Sequence, residues 1–372
     1  MATMTMRKTI GKEGGGPVGL AGVSTRVVQV IHSPDPGGVL ALADSVAAGL
    51  ARHGFASETI FMTPRPGMSF AEKLKGAASL ARRLMREPGT AVIAYQAGPS
   101  IVASLAGLLV GRRRTIIHQT TVPSATKAPV RWTSALLGTL GLYPVNVVNT
   151  AYTGDQFGRY PEAYRRRIKL IEHGVERPTV RQTRSQTLAK HAIPDDRRIL
   201  LNTARLDDQK NQSVLVRALV ALRDCRLVVA GDGQDRAAIE ALAESLGVAD
   251  RLHLLGALPH VEALELYGAA DLFVFPSVHE TFGISAVEAA LLGLPTLVAD
   301  IAVLREVLTI AGHSPVTFLD PDDSDAWARA IRKRIDAPLA RTELDRFAAA
   351  LGERYAPARM IDAYVALLKG ER

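Results

Sequence analysis

Residues 271–289 read DLFVFPSVHETFGISAVEA, a strand-like stretch, a turn and a helix-like stretch in succession. The strand-like part is residues 271–275, the turn contains Gly283, and the helix-like part is residues 286–292. A helix that starts directly after a strand and a glycine turn aims backbone N–H groups and the positive end of its dipole at one place. We therefore expect a site here for an anionic or polyhydroxylated ligand.

Two carboxylates, Glu280 and Glu288, lie eight positions apart in the same stretch. An ionised carboxylate is a pure hydrogen-bond acceptor that can receive two hydroxyl groups at once, so the pair suits a sugar. A simpler interpretation stays open. Residues 285–288 (SAVE) fit a capping box, in which Glu288 only closes the start of its own helix.

The string P-S-x-x-E-x-F-G-x-x-x-x-E-A at residues 276–289 resembles the E-x7-E signature of retaining nucleotide-sugar glycosyltransferases of the GT-B fold, the glycogen-synthase-like group 4 family. The resemblance implies an α/β protein of two Rossmann-like, doubly wound domains that face each other across a cleft. It also implies a retaining transfer of the hexosyltransferase type. In such an enzyme Glu288 would accept the ribose hydroxyls. The sugar would be held by Glu280 and by the backbone amides of Phe282, Gly283 and Ile284.

Length and patterning agree with two domains. The chain has 372 residues, of which 47% are hydrophobic and 22% charged, enough for two sizeable cores. Strand-like and helix-like stretches alternate along both halves, which favours parallel, doubly wound sheets. The expected organisation is a disordered tail at 1–25, an acceptor-side Rossmann-like domain at 26–177, a linker at 178–195, a nucleotide-sugar-binding Rossmann-like domain at 196–356, and a helix at 357–372 that crosses back to the first domain.

A second segment, residues 202–211 (NTARLDDQKN), resembles the family's G-R-L-x-x-x-K-G/N motif. The resemblance implies that Arg205 and Lys210 hold the donor diphosphate. The chemistry is sensible, because a departing nucleoside diphosphate develops negative charge that two fixed cations stabilise. The alternative is a solvated loop whose charges merely precede a helix.

Two features of the first half also resemble the family. The turn at residues 36–39 (PGGV) resembles its glycine-rich loop, in which Gly37 and Gly38 would let backbone N–H groups approach a phosphate closely. His118 ends a strand-like stretch at the place where the family often carries a histidine near the anomeric centre of the donor sugar. A histidine at a strand end is otherwise an ordinary packed residue, and both interpretations stay open.

Other cofactor chemistry finds little support. Gly231-Asp232-Gly233 follows a strand, but Arg236 stands where a dinucleotide fingerprint has its third glycine. No metal-ligand cluster is evident, and the resemblance implies that Arg205 and Lys210 take the electrostatic role of a metal ion. We expect no cofactor, and a nucleoside-diphosphate sugar as donor, with UDP favoured over GDP.

The net charge of +8 and the pI of about 9.7 call for an anionic partner. Aromatic residues make up only 5% of the chain, and no zinc, RNP or helix-turn-helix signature appears, so nucleic acid is a poor fit. Residues 70–86 have a basic amphipathic pattern that suits an anionic membrane surface. We therefore expect a cytoplasmic protein, peripheral at the inner face of the membrane, that acts on a lipid-linked or other envelope glycan in polysaccharide biosynthesis.

Two other functions remain open on the same residues. A nucleotide-sugar epimerase of the GT-B fold would need no second substrate. A membrane-associated scaffold would keep the fold without turnover. The intact pairs Glu280/Glu288 and Arg205/Lys210 favour an active transferase.

Overall fold

The structure is a computed structural model that describes residues 8–10, 26–34, 38–65, 67–111 and 114–371. The chain divides into two compact units. The first comprises Met1–Gly174 with Ala356–Arg372, and the second comprises Val175–Tyr355. Each unit is an α/β layer structure built on a sheet of six parallel strands, to which the first unit adds a short antiparallel strand.

The first unit alternates short buried strands with helices. Its elements before the boundary are β1 (Lys8–Ile10), β2 (Arg26–Ile31), α1 (Gly38–Arg52), β3 (Ala56–Phe61), α2 (Phe70–Arg86), β4 (Ala91–Tyr95), α3 (Ala97–Leu109), β5 (Thr115–His118), α4 (Ala128–Thr139), β6 (Val145–Val148), α5 (Ala151–Asp155), α6 (Glu162–Arg165) and β7 (Ile168–Leu170). The strand order is β1-β3-β2-β4-β5-β6-β7. Six of these strands are parallel, with Val27 of β2 opposite Ser57 on one side and Ala91 on the other.

The first sheet is covered on both faces. Every residue of β4 is buried, which explains its unbroken apolar sequence. One face packs against α2, α3 and α4 through a core that includes Leu80, Ala103 and Leu137. The other face packs against α1 through a core that includes Leu42 and Val46.

Strand β1 departs from the expected tail. Its backbone pairs antiparallel with β3, with Lys8 opposite Thr59 and Ile10 opposite Ser57. Because β3 would otherwise present an unpaired edge, this short strand supplies its missing hydrogen bonds. The prediction that residues 1–25 are disordered is therefore wrong for Lys8–Ile10, and the rest of that tail lies outside the described residues.

The second unit carries a fully parallel sheet. Its elements are α7 (Arg184–Lys190), β8 (Arg198–Thr203), α8 (Gln212–Ala218), β9 (Cys225–Ala230), α9 (Arg236–Ser245), β10 (Leu252–Leu254), α10 (His260–Ala269), β11 (Leu272–Phe275), α11 (Ile284–Leu291), β12 (Thr296–Ala299), α12 (Ala302–Val307), β13 (Thr317–Leu319), α13 (Ser324–Asp336) and α14 (Arg341–Arg354). The strand order β10-β9-β8-β11-β12-β13 is that of a doubly wound nucleotide-binding sheet.

Helix α7 lies inside the segment that the sequence suggested was a linker. Thr183 and Gln186 form a capping box at its start, and Leu188 is buried. The carboxylate of Glu265 in α10 accepts the backbone N–H groups of Arg181 and Gln182, both at 2.9 Å. The prediction of a linker at 178–195 is therefore wrong over Arg184–Lys190. The segment has few apolar residues, and the sequence therefore suggested a linker. It nevertheless contains a short helix that begins with a capping box and packs against α10.

The last helix, α15 (Pro357–Lys369), belongs to the first unit. Met360, Ile361 and Tyr364 enter the core that α1 forms with the sheet. The contact is close, because a Cβ added to Gly49 in α1 would lie 2.3 Å from the Ile361 side chain. Glycine at position 49 therefore lets the two helices approach.

The long uncharged stretches at residues 91–111 and 132–154 are strands and helices of the first unit. Among the helices of the described residues, none is both long enough and apolar enough to cross a membrane.

Candidate active site

The loops after β8 and β11 meet at the centre of the second sheet. These strands are neighbours, but the chain proceeds from β8 to β9 on one side and from β11 to β12 on the other. Ligands of doubly wound sheets bind at such a switch point, outside the carboxyl ends of the strands. The N–H of Val278 donates to the carbonyl oxygen of Gln209 at 2.9 Å and ties the two loops together. Arg205, Lys210, Glu280 and Gly283 all lie in these loops.

The Gly-Asp-Gly loop after β9 supports the loop after β8. A Cβ added to Gly231 would lie 1.8 Å from the carbonyl oxygen of Ala204, and one added to Gly233 would lie 2.1 Å from that of Leu206. No residue with a side chain fits at either position without moving backbone. These glycines therefore allow a close approach of two loops, and that packing accounts for their presence.

Lys210 and Glu280 form an ion pair across the two loops. The Lys210 Nζ lies 2.5 Å from the Glu280 Oε1, and the two side chains are only 16% and 12% exposed. The Phe275 ring lies beside the ammonium group, with its centroid 5.8 Å from Nζ. The sequence suggested separate ligand contacts for these residues, the diphosphate for Lys210 and the sugar for Glu280. In the structure the two side chains are paired with each other.

Arg205 is more exposed than Lys210. Its guanidinium lies 2.9 Å from the Asp207 carboxylate, and its side chain is 66% exposed. Its backbone is held in place, because the Gln212 amide donates to the Arg205 carbonyl oxygen at 2.8 Å. The guanidinium can therefore exchange Asp207 for a ligand without disturbing the loop.

Gly283 is the N-cap residue of helix α11, and its φ of 85° lies in the left-handed region. The positive φ favours glycine, and a Cβ at this position would also lie 2.6 Å from the Leu304 Cδ2, so the Leu304 side chain would have to move. No side chain caps the helix, and the amide of Ile284 is the first of its N-terminal turn. The Phe282 side chain is buried edge-on against the Tyr355 ring, at 5.0 Å between centroids. The sequence suggested that the backbone amides of Phe282, Gly283 and Ile284 hold a sugar. Because its side chain is buried, Phe282 can contribute to a site only through its backbone.

The Glu288 carboxylate contacts two side chains of α10. The Tyr267 hydroxyl lies 3.2 Å from its Oε2, and the His260 Nε2 lies 3.3 Å from its Oε1. Because the N-cap of α11 is Gly283 and Ser285 already lies inside the helix, the interpretation of residues 285–288 as a capping box is wrong. Burial raises the pKa of the Glu288 carboxyl to about 7, and the hydrogen bond from Tyr267 offsets part of that rise.

Both partners of Glu288 come from α10, and one of them, Tyr267, is in turn bonded to the end of β8. The Thr203 hydroxyl lies 2.7 Å from the Tyr267 oxygen, so a chain of hydroxyl groups links β8 to the carboxylate. Tyr267 is buried, whereas the His260 side chain is 61% exposed. The sequence did not predict a role for either residue, because a helix sequence does not indicate which distant carboxylate the helix will face. The one feature that could have drawn attention to α10 is the histidine at its first position, His260.

Two further polar groups near this site are buried without a partner among the described residues. They are the Ser277 hydroxyl oxygen and the His279 Nε2, on either side of Val278 in the loop that ends at Glu280. A buried polar atom without a hydrogen bond costs about 1–3 kcal/mol. A polyhydroxylated ligand would be a suitable partner for them.

His118 lies in the core of the first unit. Its exposed fraction is 0%, and its Nδ1 lies 2.5 Å from the Tyr364 hydroxyl of α15. The His173 ring stacks on it at 5.7 Å between centroids. Burial, and then His173, hold the pKa of His118 well below its usual range, so the ring is neutral at pH 7. Its role near a donor sugar stays a prediction.

The glycine-rich turn is described only in part. Gly37 lies outside the described residues, and Gly38 is the first residue of α1. Within the described part of the chain, no three His, Cys, Asp or Glu side chains are grouped so as to hold a metal ion.

Residues 183–350, nearly all of the second unit, match the family model described as "Glycosyl transferases group 1". The second unit is thus similar to the group 1 glycosyltransferases, over a little less than half of the chain. The matched region contains both loops of the candidate site and Tyr267.

Curated proteins of similar sequence include D-inositol 3-phosphate glycosyltransferases. The chain is 32% identical over 248 residues to D-inositol 3-phosphate glycosyltransferase 1 of Catenulispora acidiphila, covering 61% of this chain and 58% of the relative. It is 29% identical over 226 residues to the D-inositol 3-phosphate glycosyltransferase of Mycolicibacterium smegmatis, covering 59% of this chain and 51% of the relative. The chain thus spans a little over half the length of these relatives.

Solved structures share the fold over almost the whole chain. Anabaena HepE, solved in complex with UDP-glucose, matches with a TM-score of 0.77 at 18% identity, over 93% of this chain and 99% of that one. WaaG, described as a glycosyltransferase involved in lipopolysaccharide biosynthesis, matches with a TM-score of 0.66 at 17% identity, over 92% and 100% of the two chains. These likenesses confirm the expected GT-B fold.

Proposed function

We propose that this protein transfers a sugar from a nucleoside-diphosphate sugar to a hydroxyl group of an acceptor, with retention of the anomeric configuration. The main support is the grouping of Lys210, Glu280 and the start of α11 at the switch point of the second sheet. The group 1 match of residues 183–350 and the solved complex of HepE with UDP-glucose also support this proposal.

Glu288 would bind the ribose of the donor nucleotide. Its carboxylate, ionised above a pH of about 7, can accept two ribose hydroxyls. His260 would have to leave Oε1 for that purpose, and its 61% exposure makes the movement easy. Tyr267, which is buried, would keep hold of Oε2 and orient the carboxylate.

The diphosphate suits the two cations. On donor binding the Arg205 guanidinium exchanges Asp207 for phosphate, and the Lys210 ammonium shares its charge between phosphate and Glu280. As the bond from the anomeric carbon to the phosphate oxygen breaks, the acceptor oxygen forms its bond on the same face. The acceptor proton passes to a phosphate oxygen, and the nucleoside diphosphate leaves with it. The two cations stabilise the charge that develops on the leaving group.

The sugar suits the loop that ends at α11. Glu280 and the amides of Phe282, Gly283 and Ile284 would hold its hydroxyls, and the unpartnered Ser277 and His279 lie in the same loop. We expect His118 of the first unit to act near the anomeric centre. We also expect the acceptor to be a lipid-linked or envelope glycan and the donor to be a UDP-sugar.

A panel of UDP-, GDP- and ADP-sugars tests the proposal. A true donor at 100 times its Kd should stabilise the protein by about 2.7 kcal/mol, seen as a rise in Tm. It should also be hydrolysed slowly, with the released sugar keeping its anomeric configuration by NMR. Conversion of a nucleotide sugar to its epimer without release of nucleotide would instead indicate an epimerase, and binding without any turnover would indicate a scaffold.

A further inference from the structure

Exposed large hydrophobic residues are concentrated on three helices of the first unit. In the described part of the chain twelve such residues are exposed, and eight of them lie in α2, in α3, or in α4 and its C-terminal cap. These eight are Phe70, Leu74, Leu105, Leu108, Leu109, Trp132, Leu136 and Leu140. Scattered single residues of this kind need no explanation, but a group on adjacent elements does.

The spacing of these residues places them on the outer faces of their helices. Trp132, Leu136 and Leu140 recur every four residues, and Leu105 is followed at the third and fourth positions by Leu108 and Leu109. The inner faces of the three helices are already buried against the sheet. Helix α3 packs against both α2 and α4, so the three outer faces adjoin. We call this region the α2–α4 surface.

The α2–α4 surface is also strongly basic. Residues 67–154 contain ten Lys and Arg but only two acidic residues, Glu72 and Glu87, and no acidic residue occurs from 88 to 154. Lys73, Lys75, Arg82 and Arg86 are exposed on α2. Arg83 is different, because it pairs with Glu58 and Glu87 at 3.1 and 3.0 Å and so braces α2 against β3.

The positive charge of the α2–α4 surface distinguishes between two partners, a second copy of the chain and an anionic bilayer. A symmetric contact between two copies would bring one basic surface against another, with few acidic groups to offset the repulsion. An anionic bilayer complements both properties, because apolar side chains enter the boundary between headgroups and acyl chains while Lys and Arg contact the headgroups. The Arg131 guanidinium lies 5.8 Å from the Trp132 ring centroid, so an amphipathic aromatic and a cation stand together at the exposed face.

We propose that the α2–α4 surface docks on an anionic lipid bilayer, with the exposed residues of α3 and α4 inserted into it. This inference does not depend on the proposed transfer reaction. It also differs from the expectation based on residues 70–86 alone, since six of the eight exposed apolar side chains, Trp132 among them, lie on α3 or on α4 and its cap.

Trp132 provides a direct probe in the unaltered protein. The chain has two tryptophans, and Trp132 is 69% exposed whereas Trp327 is fully buried in the second unit. Addition of vesicles of mixed phosphatidylglycerol and phosphatidylcholine at low salt should shift the emission to shorter wavelength. Vesicles of phosphatidylcholine alone should have a much smaller effect, and salt should reverse the shift. Trp132→Phe should abolish the shift.

Cosedimentation with the same vesicles tests the surface itself. The double variant Trp132→Gln/Leu136→Gln should bind at least about tenfold more weakly, because each large apolar side chain that is buried contributes tenfold or more to binding. Val220→Gln/Val261→Gln is the matched control, since these residues are 49% and 69% exposed on the second unit. It should bind as the wild type does. An unchanged Tm would show that both variants are folded.

Three results would overturn the proposal. The first is no binding to anionic vesicles at low salt. The second is equal binding by the two double variants. The third is a dimer of the wild type in solution that Trp132→Gln/Leu136→Gln dissociates, which would assign the surface to a second copy of the chain.

Discussion

The Lys210 ammonium lies 2.5 Å from the Glu280 carboxylate, and each of the two side chains is less than one fifth exposed. Two loops that follow different strands are therefore linked by one ion pair at the switch point of the second sheet. A diphosphate that binds Lys210 must compete with Glu280, and a sugar that binds Glu280 must compete with Lys210. Binding at the two positions should therefore be coupled.

Removal of the two cations should have different effects. Arg205→Ala should lower turnover by about 100-fold and leave Tm unchanged, because its side chain is 66% exposed. Lys210→Met should also lower turnover by about 100-fold. It should lower Tm as well, because the largely buried carboxylate of Glu280 loses the cation that neutralises it. Adding Glu280→Gln to Lys210→Met should restore Tm but not turnover. Arg329→Ala, at a residue 71% exposed and remote in sequence, is the control. Normal turnover in both single variants would refute the phosphate assignment.

Glu288 should make stability and donor affinity depend on pH in opposite directions. Its pKa rises from 4.5 in the unfolded chain to about 7 in the fold, so the folded state holds a proton that the unfolded state has lost. The free energy of unfolding should therefore fall, by at most about 3 kcal/mol, as the pH rises from 4.5 to about 7. The affinity for UDP should rise over the upper part of that range, as the carboxylate ionises. Tm and calorimetric Kd across this range measure the two trends.

Glu288→Gln is the matched variant for both trends. It should flatten the pH dependence of Tm and weaken UDP binding, because an amide offers one acceptor fewer to the ribose diol. His260→Gln should keep the dependence on Glu288 while removing the neighbouring titratable ring. A Glu288→Gln protein that binds UDP normally would show that the carboxylate has only a structural role.

Gly283 and Gly352 form a matched pair of glycines. Gly283→Ala places a Cβ at φ 85° and 2.6 Å from Leu304, so it should lower stability by about 1–2 kcal/mol and weaken donor binding. Gly352→Ala lies within α14, where a Cβ would make only an ordinary 3.7 Å contact with Leu291. It should raise stability by up to about 1 kcal/mol. Tm and UDP affinity of the two variants give the comparison, and equal effects would contradict this account of α11.

Tyr364→Phe tests His118 without making a cavity. The change removes the hydroxyl that lies 2.5 Å from the His118 Nδ1 but keeps the packed ring. If His118 acts in the transfer, the loss of its orientation should lower kcat at least about tenfold, with KM for the donor little changed. Tyr355→Phe, which removes a hydroxyl bonded to the Val307 carbonyl at 2.9 Å, is the control. A loss of Tm alone, equal in the two variants, would leave His118 as a packed core residue.

Metal removal tests how the leaving group is neutralised. Activity should persist in excess EDTA if, as proposed, Arg205 and Lys210 supply the positive charge. Complete loss of turnover, restored by magnesium or manganese, would assign that role to a metal ion instead.

Local patterns predicted the strand-turn-helix at 271–289 and most element positions, because buried parallel strands and amphipathic helices leave periodic traces in sequence. They could not predict which distant groups meet. The Tyr267 and His260 partners of Glu288, and the pairing of Lys210 with Glu280, depend on tertiary packing over at least twenty residues of chain. Helix α7 was missed because it is short and largely polar, although its Thr183/Gln186 capping box was visible in the sequence.

Because α15 completes the core of the first unit, folding during synthesis should finish in an unexpected order. The second unit is one continuous segment, so it can reach its native state as soon as it leaves the ribosome. The first unit is synthesised earlier but must wait for Met360, Ile361 and Tyr364 before its apolar face next to α1 is covered. A chain that ends after residue 355 should therefore retain the cooperative unfolding of the second unit and lose that of the first. Nascent chains stalled at this length should bind chaperones through the uncovered side of α1.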